Sequence, residues 1–248
     1  MRPDQPRPIR PGELVTAIRS AHARLGGAIE PLTDAQVAAP SRLPGWSCGH
    51  VLAHIAGGGG AAARQVECAR RGVLSDLYDG GRPARAAALE AGARASAVAL
   101  VLALRIQTAR IDVLLASLAP ADWDRPVRYR DGIVLDRVLA WWREVEIHTT
   151  DLDLGCSSDS WSERFCDHLV DHLAALPERT PGTCLVLQAP GWVREVGTGA
   201  PRIVRGQRTD LVAWLAGRNP VRPVSGDLPL LAPWASACLV MRDPAAVT

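Results

Sequence analysis

Glu144, His148 and Asp151 recur at i, i+4 and i+7, so on an α-helix they line one side. A carboxylate and an imidazole one turn apart can grip the same divalent cation. One further histidine from another helix would complete a three-ligand site with open positions. Open positions are what separate a site for chemistry from a structural clamp. His50 and His54 offer that other helix, four residues apart on one face. One can be a ligand and the other a packed or hydrogen-bonded histidine, or both can be ligands. Asp151 has several roles open to it: fourth ligand, partner of His148, general acid/base beside the metal, or solvated helix-end carboxylate. A rival cluster, Cys166, His168 and His172 with Asp167 and Asp171 between them, shares its helix with apolar Phe165, Leu169 and Leu173. Those histidines read as surface or domain-interface residues.

The helix that must carry Glu144 and His148 is expected over about Leu135 to Leu154, stopped by Gly155 as the residue past its end. Leu135, Val138, Leu139, Trp142, Val145 and Leu152 form its apolar stripe. The stripe of Trp141, Glu144, His148 and Asp151 lies about 60° away, bordering the core, where a partly exposed polar seam is the ordinary outcome. His54 belongs to a helix that starts after Leu43-Pro44-Gly45-Trp46, with Ser47 as its N-cap. Two more helices are expected, one from Pro11 to about Ile29 and a long Ala- and Leu-rich one from about Ala84 to Leu118. A short β-hairpin turning at Asp131-Gly132 is expected over 127–134. Four helices with short or moderate connections favour a bundle.

After Gly155 the texture changes. A helix over Trp161 to Leu176, ended by Pro177, precedes strand-like runs at Cys184-Leu185-Val186-Leu187, Trp192-Val193 and Arg202-Ile203-Val204-Arg205. A helix around Asp210 to Ala216 follows, and the tail from Val221 to Met241 has room for another strand. The expected organisation is therefore a helical domain over 1–155 and a smaller α+β domain over 156–248.

Totals exclude several classes. A net charge of +2 provides no strong field for nucleic acid or an anionic membrane, and there is no array of base-stacking aromatics. No apolar run is long enough to span a bilayer, and the first residues lack the layout of a secretion signal. The six cysteines are scattered without a C-x-x-C pair, which argues against a zinc ribbon or disulfide framework and fits a reduced cytoplasm. All 28 basic residues are arginine; with abundant Ala, Gly and Pro, that points to a GC-rich genome rather than to a binding surface. A monomer or weak homodimer is expected.

Two segments resemble the signatures of one family. Leu43 to His54, carrying Trp46-x7-His54, and Arg143 to Leu152, carrying Arg-Glu-x3-His-x2-Asp-Leu, are similar in type, order and separation to those of the mycothiol-dependent maleylpyruvate isomerase family. Trp214-Leu215-Ala216-Gly217-Arg218 is a weaker third match. The resemblance implies a DinB-like four-helix bundle followed by a small α/β domain. It implies a divalent metal, usually zinc, held by His54, Glu144 and His148, with Asp151 and Arg218 beside it, and it makes His50 a non-ligand. It also implies mycothiol, the small thiol of actinobacteria, as the cofactor or cosubstrate.

The implied chemistry is physically sound. A thiol with pKa near 8.5 is mostly protonated at neutral pH, and an open position on a dication stabilises the thiolate. Sulfur adding to a cis double bond and then leaving gives the trans isomer; sulfur that stays gives an S-transferase. Arg218 would pair a carboxylate of substrate or cofactor. Gly57-Gly58-Gly59-Gly60 departs from the family, where bulkier residues are expected. Each mid-helix glycine costs about 0.8–1.0 kcal/mol relative to alanine, so Gly57 and Gly58, one turn past His54, are expected to clear space for a thiol or substrate.

Overall fold

The computed structural model describes residues 9–78, 80–176, 180 and 182–232. The first helix, α1 (Pro11–Ile29), opens on a proline, which suits the first turn, where no amide partner is needed. Leu14, Ile18, Leu25 and Ile29 fall on one buried face. The short α2 (Asp34–Ala38) is an element that periodicity does not announce. In α3 (Cys48–Arg70) the expected cap is present. The Ser47 hydroxyl accepts from the His50 amide at 3.3 Å, and the His50 ring accepts from the Ser47 amide through Nδ1 at 3.2 Å.

The Ala- and Leu-rich stretch, expected as one helix, is two: α4 (Gly81–Ala93) and α5 (Ala97–Ala116). Ser96 caps α5 by accepting from the Ala99 amide, and Asp34 of α2 accepts from the Ala97 amide at 2.7 Å. Those bonds hold a break that an alanine run conceals. The hairpin expected over 127–134 is corrected as well. A 3-10 turn, Tyr129–Asp131, stands there with one bridge between Pro126 and Ile133. Asp136 accepts from the Ile133 amide at 3.0 Å, and this cap draws Val134 into a helix instead of a strand.

That helix, α6 (Val134–Asp151), ends earlier than expected. Asp153 (φ 57°), rather than Gly155, takes the first left-handed position beyond it, bonded by Arg42 at 2.8 and 2.9 Å. α1, α5, α3 and α6 close a four-helix ring: α6 packs on α1 and α3, and α5 packs on the same two. α4 lies against α3. Trp141, Trp142, Val145 and Ile147 are all at most 2% exposed, so α6 is buried nearly all round and its polar stripe lies inside the bundle, not on a solvated seam.

Contacts divide the chain into two compact units, one ending at Cys156 and one beginning at Ser157. In the second, α7 (Glu163–Ala174) buries Phe165, Leu169, Val170 and Leu173; Pro177, expected to end it, lies outside the described residues. Strands β1 (Thr183–Ala189), β2 (Trp192–Val196), β3 (Ala200–Arg205) and β4 (Ser225–Gly226) form a sheet of order β2-β1-β3-β4. β1 is antiparallel to β2 and parallel to β3. Crossing from one side of β1 to the other takes only Gly197-Thr198-Gly199. A Cβ on Gly199 (φ 125°) would lie 2.3 Å from the Gly182 carbonyl oxygen, so only glycine fits. α8 (Arg208–Leu215) packs on α7 and β1. Of the strand expected in the tail, Ser225–Gly226 is described and residues 233–241 are not. Among the described residues, no helix is long and apolar enough to cross a membrane.

Candidate metal centre

α3 and α6 pack face to face, and their pairing brings His54 to Glu144 and His148. His54 Nε2 lies 2.9 Å from Glu144 Oε2, and His148 Nε2 lies 3.3 Å from the same oxygen. The two imidazoles meet edge to face with centroids 4.8 Å apart. One donor atom from each residue lies within 4.8 Å of the others, and among the described residues no other such group of His, Cys, Asp or Glu forms. Ligands around tetrahedral zinc, each about 2.0–2.1 Å from the ion, sit roughly 3.4 Å from one another. The donor types and their present separations therefore fit a divalent cation of the zinc kind.

Asp151 stands behind His148. Its Oδ2 is 2.9 Å from His148 Nδ1, and the residue is 1% exposed, which rules out the solvated helix-end carboxylate. Such a carboxylate fixes the tautomer and leaves Nε2 facing inward with its lone pair for a cation. Glu146, between Glu144 and His148 in sequence, turns elsewhere and accepts from Arg24 and from Trp142 Nε1.

Burial by itself would push His148 down, but its bonds to Asp151 and Glu144 outweigh burial and raise it from 6.5 to about 9. For Glu144 burial acts upward and is overcome by the hydrogen bonds from His148 and His54, so its carboxyl falls well below the ordinary value. His54 goes down, chiefly by desolvation, with the bond to Glu144 opposing. The cluster therefore carries a proton between donor atoms, where a cation would compete for the same lone pairs.

His50 is used otherwise. Its Nδ1 closes the cap on α3, and its Nε2 lies 3.5 Å from Glu90. Trp46 stacks beside both histidines, 5.6 Å from the His54 ring and 6.0 Å from that of His50. Sequence reasoning missed Arg85. From α4 its Nη2 reaches 3.2 Å from His54 Nδ1, and its guanidinium lies 4.5 Å over the Tyr78 ring. Nothing in local spacing announces that contact, because it depends on α4 folding back over α3.

Gly57 and Gly58 line a chamber of about 340 Å³ between α3, α4 and α5, which His54, Tyr78 and Arg85 also border. A Cβ at Gly57 would meet nothing within 4 Å, and one at Gly58 only Trp141 Cζ3 at 3.9 Å. Gly59 differs, since its Cβ would lie 3.0 Å from Trp141. Arg218 belongs to the second unit, just past α8, where its Nη1 donates to the Ala216 carbonyl at 3.1 Å. In α7, Asp167 accepts from Trp192 Nε1 at 2.8 Å and Asp171 pairs with Arg194, so the acids of the rival cluster serve packing.

The fold is thus that of the DinB-like helical bundles, here followed by an α+β part. Residues 18–153, more than half of the chain, match the family described as the mycothiol maleylpyruvate isomerase N-terminal domain. The chain belongs to that family. A crystal structure of the mycothiol-dependent maleylpyruvate isomerase aligns with a TM-score of 0.82 at 21% identity, covering 91% of this chain and 98% of that one. A histidine-to-alanine mutant of the same enzyme gives 0.81 at 20%, with the same coverage. These similarities establish the shared fold. No curated protein matches the chain.

Proposed function

We propose that this protein is a metal-dependent enzyme that uses a low-molecular-weight thiol, mycothiol, against a small electrophile, working in the cytoplasm. Cis–trans isomerisation of maleylpyruvate is the first activity to test. The observation that carries the reading is the convergence of His54, Glu144 and His148 on one point at the edge of a chamber, with Asp151 fixing His148. A zinc ion bound there would hold a thiol as thiolate at neutral pH. His54, Glu144 and His148 would be its ligands, and Asp151 the residue that orients His148 and takes part in proton movement beside it. Gly57 and Gly58 leave room for thiol or substrate, and Arg218 is assigned to a carboxylate of either.

In the isomerase, sulfur bonds to one alkene carbon and the π electrons move onto the conjugated carbonyl. The former double bond rotates, and departure of sulfur restores the trans alkene and free thiol. In the transferase the neighbouring carbon takes up a proton and the thioether remains. Zinc-loaded protein with maleylpyruvate and mycothiol, with and without chelator, tests the reading. Fumarylpyruvate formed only with thiol and metal together is expected, as is loss of both zinc and turnover in Glu144→Gln. A stable thioether would select the transferase. No reaction by metal-loaded protein with maleylpyruvate or other activated alkenes would reduce the protein to a metal- or ligand-binding module.

A further inference from the structure

α5 is apolar on both of its faces. Leu100, Leu104, Ile111, Leu114 and Leu115 are buried in the bundle. On the opposite side, at 100° per residue, Val98, Leu102, Ile106, Ala109, Val113 and Ala116 fall within about 80° of one another. All six are exposed, Val98 at 78%, Val113 at 73%, Leu102 at 57% and Ile106 at 53%. Side chains of that size leave roughly 400 Å² of contiguous apolar surface in water, enough to mark an interaction site on a monomer. Arg105 is the one charged residue on this stripe, and it carries its counter-charge with it, Glu30 at 3.7 Å. Arg110, on the far edge, is held by Glu67 at 2.7 and 2.9 Å. Cations neutralised in this way offer little to an anionic lipid surface. An apolar strip inside a polar rim is the anatomy of a protein interface.

We infer that this face of α5 pairs with the same face of a second copy of the chain, the two helices antiparallel about a two-fold axis between Arg105 and Ile106. The stripe is self-complementary in that register. Val98 meets Val113 of the second copy and Leu102 meets its Ala109, a large residue against a small one, and the symmetry makes each contact twice. The two Arg105 side chains arrive near the axis, each with Glu30 of its own chain beside it. A groove of about 300 Å³ beside Val98, bordered also by Leu32, Val101 and Leu102, gives Val113 of the second copy a seat. The stripe alone supplies half of the ~800 Å² that each side of a standard interface contributes. With the groove and the rim added, the contact reaches the lower end of specific interfaces, which makes the dimer a weak one.

Sedimentation velocity on the full chain, from about 1 to 200 µM, reads the association directly. The mean mass is expected to rise from that of one chain toward that of two, with a Kd on the order of 10 µM. Val98→Lys and Val113→Glu each alter an exposed side chain, so each variant should fold; circular dichroism and a melting temperature at the lowest concentration check this. Either variant alone should weaken association at least tenfold, since it sets an unpaired charge against valine twice per dimer. Mixed in equal amounts they should associate again. The new cation of one copy then meets the new anion of the other, while the remaining Val98 and Val113 pair as in the parent. A parent that keeps the mass of one chain throughout overturns the inference and leaves the stripe to another protein or to a lipid surface. A dimer that neither substitution weakens also overturns it, as does a mixture that associates no better than its parts.

Discussion

His148 couples the folded state to pH through two carboxylates. Its pKa of about 9 lies above the 6.5 of an unperturbed histidine, so its contribution to stability is complete below about pH 6.5. That contribution is lost as pH rises through 9. For this buried ring it is on the order of 3 kcal/mol. Glu144 sets the other limit: its lowered carboxyl stabilises above about pH 4.5 and ceases to do so as pH falls through its folded value. Chelator-treated protein should therefore melt several degrees lower at pH 9 than at pH 6.5. Zinc-loaded protein should lose much less, because the ion takes the place of the proton. A flat melting temperature across that range for the metal-free form would show that the His148 pairings do not stabilise the fold. At this scale the sequence was legible where the pairing is local. Glu144, His148 and Asp151 share a face by helical spacing alone, and Ser47 reads as the cap of α3, whereas the returning bond to the His50 ring is found only in the structure. The His54 contact with Arg85 spans 31 positions and has no local signature.

Among the helices, glycine shows what pattern can and cannot say. Propensity alone does not tell the glycines of α3 apart by their neighbours, yet the neighbours differ. Gly57 faces open space, whereas a Cβ on Gly49 would stand 2.4 Å from the Ala93 carbonyl oxygen, where α4 ends against α3. Gly57→Ala should thus raise stability by about 0.8–1.0 kcal/mol. Gly49→Ala should lower it by about 1–3 kcal/mol through forced separation of the two helices. Urea unfolding measures both, and equal shifts for the pair would contradict the packing described. The same limit hid the break at Arg94-Ala95-Ser96. It is fixed by the Asp34 carboxylate from another helix, so an alanine-rich sequence reads straight through it. The first helix, expected from near Pro11 to about Ile29, is found over Pro11–Ile29, since its apolar face repeats within its own residues.

For the whole molecule, all three candidate ligands and Asp151 belong to the unit that ends at Cys156, and Arg218 belongs to the other. A chain terminated after Cys156 should still carry one zinc by elemental analysis while losing thiol-dependent turnover. Zinc content near zero would show that the second unit is needed to shape the cradle. The division of labour within the first unit has an evolutionary consequence. Two of the three candidate ligands, Glu144 and His148, lie on α6, an enclosed helix where nearly every substitution also disturbs the core. The chamber's outer wall is α4, an element largely open to solvent. A lineage can therefore exchange that wall while inheriting the candidate centre intact, so related proteins that keep His54, Glu144 and His148 should diverge first in what they admit.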